Sequence, residues 1–134
     1  MPANTSPLFS LTPVLSCAQV SVANSNRDGS TGTYVDVVTG AANGTRIDYI
    51  RIKAAVTTTA GMVRLFLYDG TSTRLYTEIL VTAITASATV ASFESSLNLV
   101  FTTGRPIILK SGDKIKANTE KAEAINVIAF GGSY

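Results

Sequence analysis

The sequence predicts an all-β protein, a two-sheet β-sandwich of the jelly-roll kind, carrying an extended N-terminal arm. Three observations predict it. Apolar and polar residues alternate over several short runs, the period of a strand with one covered face. Gly, Asn and Asp cluster between those runs, where turns belong. No stretch of useful length carries a helical apolar period, and no strand–helix–strand rhythm appears. An up-and-down barrel satisfies the same observations, because spacing alone does not choose the connectivity.

The elements follow in order. Residues 1–13 are rich in Pro and Ser, with Leu8, Phe9 and Leu11 isolated among them. This composition predicts an extended arm ahead of one domain spanning 14–134, a length that supports one hydrophobic core. The arm's apolar residues need a surface, either their own sheet or a neighbour. Val14 to Val22 reads as the first strand, and "ANSNRDGSTG", residues 23–32, as a loop. Tyr34 to Thr39 is the second strand, and "GAANG" turns the chain.

Thr45 to Ala55 is the third strand, and its apolar residues fall in both phases. Ile47 and Tyr49 share one face, Ile50 and Ile52 the other. Either both sides are covered or a bulge shifts the phase. The clearest hairpin is "GMVRLFLYDGTSTRLYTEILV", residues 61–81, turning at Asp69-Gly70. With a loop from Asp69 to Thr73, Tyr68 faces Arg74, Phe66 faces Tyr76 and Arg64 faces Glu78. "TAITASATVAS" has no clear period, and a short helical turn, a loop or an edge strand all fit it. Phe93 to Phe101 alternates over its whole length. Ile107 to Leu109 and Lys114 to Asn118 flank the turn "KSGD", and Ala124 to Phe130 is the last strand before "GGSY". The total is eight or nine strands.

The chemistry of the side chains narrows the function. Eleven Lys and Arg balance nine Asp and Glu without a basic block, so no nucleic-acid partner is expected. No apolar run approaches the ~18 residues of a membrane helix, and no membrane partner is expected. The opening resembles a leader only superficially: it lacks a cationic start, and Pro7 and Pro13 interrupt its apolar residues. Asn43-Gly44-Thr45 matches a glycosylation acceptor but is first a turn signal. The single cysteine, Cys17, makes no intrachain disulfide and reads as a small buried hydrophobe.

The chain contains no His, which removes the usual near-neutral base and the commonest metal ligand. Carboxylates remain. Asp28, Asp69 and Asp113 each precede Gly and read as turn caps. Asp36 and Asp48 lie on strands expected to be adjacent and can approach each other, although Arg46 and Arg51 are near enough to pair with them. Asn24, Asn26 and Asp28 offer alternating oxygens to a cation but lack the closing bidentate Glu of a calcium loop. The expectation is no catalytic residue, no cofactor and no metal ligand.

One surface stands out. Opposite the apolar Val63, Leu65 and Leu67 lie Arg64, Phe66, Tyr68, Arg74, Tyr76 and Glu78. Tyr, Phe and Arg are the types enriched at protein interfaces. Three readings fit: a cover supplied by the chain's own arm or loop, an interface with another protein, or a glycan site. With Leu8, Phe9 and Leu11 of the arm, these six residues are the predicted contact residues of a self-associating module, expected as a homotrimer.

The segments "NGTRIDYIRIKAAVTTTAGMVRLFLYDG" and "LKSGDKIKANTEKAEAINVIAFGGSY" resemble small tailed-bacteriophage virion proteins of the head-decoration, or cement, type. The likeness runs from about Asn24 to the C-terminus and transfers no residue by motif. It implies a β-sandwich on the capsid surface of the virion, assembled in the host cytoplasm. It further implies a trimer that clamps the major capsid protein or another virion protein without chemistry of its own. The alternative is a tail-associated carbohydrate- or receptor-binding module, in which Tyr68, Arg74 and Tyr76 ring a concave site.

Overall fold

The computed structural model describes residues 10–101 and 104–134. Among them are nine strands and no helix: β1 Thr12–Val20, β2 Val35–Thr39, β3 Thr45–Ala54, β4 Gly61–Tyr68, β5 Thr73–Val81, β6 Glu94–Asn98, β7 Ile107–Leu109, β8 Lys114–Thr119 and β9 Ile125–Ser133. The first strand starts two residues inside the expected arm, and the last runs through both glycines of the closing "GGSY".

The connectivity is that of one long hairpin rolled into two layers. The tip is the β4–β5 turn; behind it β3 runs against β6 and β7, β2 against β8, and β1 against β9, all antiparallel. Rolling adds the β3–β9 and β4–β8 pairs. Sheet A is then ordered β1-β9-β3-β6, with β7 beside β6 on the outer edge of β3, and sheet B is ordered β2-β8-β4-β5. This is a jelly roll, so the predicted fold class holds. Rolling requires each layer to draw strands from both halves of the chain, which is why most neighbours in a sheet are distant in sequence.

The core lies between the sheets. Ile47, Ile50, Ile52, Val127 and Ala129 face it from sheet A, and Val38, Val63, Leu65, Ile79 and Ile115 from sheet B, all buried. Each fully buried branched side chain contributes ~1.5–3 kcal/mol of transfer free energy. The Ser16 hydroxyl bridges the layers by donating to the Val37 carbonyl at 2.5 Å.

Three register slips occur among the described residues; one lies in β2 between Asp36 and Val38, and the other two set the phase of β3 and of the β4–β5 hairpin. The β3–β9 register slips between Ile47 and Tyr49, leaving Asp48 as an extra residue. Ile47 and Ile50 therefore both reach the core, as a bulge allows. At that bulge Gly131 crosses β3 so closely that a Cβ would lie 1.8 Å from the Arg46 carbonyl oxygen. A second slip lies between Leu65 and Phe66, with Tyr76 as the extra residue on β5.

The second slip corrects the expected hairpin ladder. Arg64 does face Glu78, but Phe66 faces Leu75, Leu67 faces Arg74 and Tyr68 faces Thr73. The loop is Asp69–Ser72, one residue shorter than expected. Asp69 closes it by accepting the Thr71 and Ser72 N–H groups, and Gly70 adopts a φ of 95°. Asp36 and Asp48 do not meet, because β2 and β3 belong to different sheets: Asp36 pairs with Lys114 at 2.9 Å and Asp48 with Arg46 at 2.6 Å. Cys17 is exposed, contrary to expectation, because Val14, Ala18 and Val20 take the inward phase of β1. Residues 82–93 form a loop tied by the Thr58–Ile84 bridge.

Candidate interaction surface

The outer face of sheet B, where the sequence placed the six predicted strand contacts, is covered by the chain itself over Arg64 and Phe66. After Val20 the chain crosses over β8 and β4 before entering β2. Ala23 bridges Thr119, and the Asn118 side-chain amide donates to the Asn26 carbonyl at 2.9 Å. The Asn24 amide donates to the Thr31 and Thr33 carbonyls, holding the loop in a compact coil. Asp28 accepts the Ser30 and Thr31 N–H groups and the Thr31 hydroxyl. These bonds draw its carboxyl well below the usual range, the Thr31 hydroxyl contributing most. The Asn24 and Asp28 side-chain oxygens thus accept bonds within the loop, and no group of three or more His, Cys, Asp or Glu placed to hold a metal ion occurs among the described residues.

Beneath the loop lie Arg64 and Phe66, 1% and 0% exposed. The Tyr34 ring closes over Phe66 at right angles, with centroids 5.0 Å apart. Arg64 donates to Glu120 at 2.6 Å, lies 3.8 Å from Glu78 and reaches the Asn24 carbonyl at 3.4 Å. Arg27 of the loop clasps Glu78 with two nitrogens, at 2.7 and 3.2 Å. Its donated bond, reinforced by its charge, lowers the Glu78 pKa. In this conformation the loop covers Arg64 and Phe66, the self-cover that is one of the three readings of this surface. The cover is a loop whose composition announces only that it is a loop.

The other predicted residues are dispersed. Tyr68 is half-buried under Lys116, whose ammonium lies 4.9 Å from its ring centroid, and its hydroxyl donates to Gly70. Tyr76 is 37% exposed on its bulge. Arg74 is exposed, but facing Leu67 rather than Tyr68 it takes the opposite side of the sheet. The concave ring of Tyr68, Arg74 and Tyr76 required by a glycan site is not assembled. A cleft of about 510 Å³ does open beside Arg27, Arg64, Glu120 and Lys121, but both guanidiniums there are already engaged by carboxylates. Leu8 and Phe9 lie outside the described residues. Leu11 is 83% exposed, and its N–H donates to the Ser133 carbonyl.

The apolar surface lies instead on the outer face of sheet A. Side chains opposite one another in register form rows across the strands. One row runs Leu15, Phe130, Tyr49; the next runs Cys17, Ile128, Arg51; the third runs Gln19, Asn126, Lys53. Over these three rows the face grades from oily to polar along β1. Leu15 is 67% and Phe130 39% exposed, and Phe130 packs edge-on to Tyr49 with centroids 5.7 Å apart. Beyond the Leu15 row Pro13, Gly132 and Arg46 come into register, and Ile108 of β7, 63% exposed, faces Arg46, whose guanidinium pairs with Asp48. At the polar end Arg51 pairs with Glu94 at 2.8 Å, and Gln19 donates to Asn126. Ile128 and Phe130 already sit in the outward phase of the last strand in the sequence. What the sequence lacked was the pairing that brings Leu15 and Tyr49 beside them.

No protein-family model matches the chain, and no curated protein matches it. Among solved structures it is similar to a pentameric capsid protein from metagenomic phage sequences, solved by iodide phasing. The TM-score is 0.44 and the identity 12%, over 94% of this chain and 71% of that one. A second structure described as a pentameric capsid protein from metagenomic phage sequences gives a TM-score of 0.42 and 14% identity, over 94% of this chain and 64% of that one.

Proposed function

We propose that the chain is a structural protein of a bacteriophage particle. In this reading it decorates the capsid surface as a cement protein, holding shell subunits by non-covalent contact and performing no catalysis. The observation that carries the reading is on the outer face of sheet A: Leu15, Phe130 and Tyr49 form an apolar row, and the exposed Ile108 lies beyond it across Arg46. The arm supports it. Residues 10 and 11 run beside Gly132 and Ser133, on the strand that carries Phe130.

Face and arm then act as one continuous grip on the major capsid protein or on a neighbouring copy. Each side chain fully buried there contributes ~1.5–3 kcal/mol before ordering costs. Repetition over a shell adds avidity. Self-association into a homotrimer, and assembly in the host cytoplasm, belong to the same reading through the sequence resemblance.

The test is co-sedimentation of the purified full chain with phage shells stripped of it. The native chain is expected to pellet with the shells, and the L15D/F130D variant to stay in the supernatant with its fold intact. Equal pelleting of both forms contradicts the use of this face.

A further inference from the structure

We infer that β1 is a docking edge for a second copy of this chain, paired antiparallel about a two-fold axis at Ser16, which continues sheet A across two molecules. The inference is independent of the virion reading, since it rests on the strand edges alone.

A two-sheet sandwich leaves four free edges, and soluble proteins blunt them with charge, bulges, shortness or Pro. Three of the edges here are blunted. The β2 edge has five residues, a register slip and Asp36. The β5 edge carries Arg74, Glu78 and the Tyr76 bulge. The remaining edge of sheet A is divided between β6, of five residues with Glu94, and β7, of three. The β1 edge is different. It is nine residues long, pairs with β9 without a slip and contains no charged residue. Its single blunting residue, Pro13, lies next to one end. Among the described residues no strand occupies its outer edge.

The occupant follows from the sequence of β1. Ser16 is the midpoint of Thr12–Val20, so a two-fold there pairs all nine residues. It sets Leu15 against the partner copy's Cys17 on the outer face, and Val14 against Ala18 on the inner. With no charge on the strand, self-pairing brings no like charges together. A two-fold contact of this kind uses the same patch on both copies.

The test mixes the native chain, whose sole cysteine is Cys17, with an L15C/C17S variant under mild oxidation. A disulfide-linked heterodimer is expected, while neither protein alone gives a covalent dimer. In parallel, sedimentation equilibrium of an L15K/C17K variant is expected to show half the native molar mass. Both substitutions are at exposed positions, so an unchanged circular dichroism spectrum serves as the folding control. Failure of the heterodimer to form, or a native mass that the lysines leave unaltered, overturns the inference. A chain that pairs this way yet fails to bind shells would sink the virion reading alone.

Discussion

The Tyr34 and Phe66 rings stand perpendicular with centroids 5.0 Å apart, and this contact seals the loop between β1 and β2 onto sheet B. Phe66 is thereby a core residue of a second, smaller packing layer, outside the inter-sheet core. Phe66→Ala is expected to cost ~3–5 kcal/mol of stability, in the range of large aromatic truncations. Tyr34→Ala should cost less, and the double mutant should reveal a coupling of ~0.5–1.5 kcal/mol. Urea unfolding of the four proteins measures all three. An F66A chain of native stability would mean that the loop is not seated on the sheet.

The same loop gives the protein an acid-sensitive element. The Asp28, Asp69 and Glu78 carboxyls all have folded-state pKa values below their ordinary ones. A depressed carboxyl contributes stability that is full above its unfolded value, near 4, and is lost as pH falls below it. Asp28 and Glu78 both hold the 23–34 loop, so the protection of its amides, relative to their intrinsic exchange rate at each pH, should fall from about pH 4 downward, ahead of β3 and β9. In Asp28→Asn the Ser30 and Thr31 amides should be less protected at neutral pH, and the acid dependence of the loop should flatten.

Gly131 tests the bulge. Any side chain there meets the Arg46 carbonyl oxygen on β3. Gly131→Ala is expected to destabilise by at least ~1–3 kcal/mol, the usual range for overpacking, and to shift the amide resonances of residues 46–49 in particular. Gly70→Ala, in a turn with open space around it, carries only the strain of its positive φ and should cost less.

These contacts show what the sequence disclosed and what it did not. The strands were legible because each has a covered face, and alternation records one face at a time. The β3 bulge was half legible: Ile47 and Ile50 demand opposite phases, which a bulge or a cover on both sides satisfies equally. The β5 bulge was not: Arg74, Tyr76 and Glu78 alternate without a break, and only the pairing with β4 makes Tyr76 the extra residue. The cover on Phe66 was equally hidden. "ANSNRDGSTG" encodes its own coil through Asn24 and Asp28, but nothing local says which sheet that coil lies on. The apolar surface was half legible, in the outward phase of Ile128 and Phe130. The exposed Leu15 joins them only because the first and last strands are neighbours.

The most direct test of the account is a density map of the assembled phage particle that resolves this chain in place. The account predicts Leu15, Tyr49 and Phe130 in contact with a neighbouring protein, and the 23–34 loop still closed over Phe66. A map with that face of sheet A open to solvent, or particles that do not contain the chain, would contradict it.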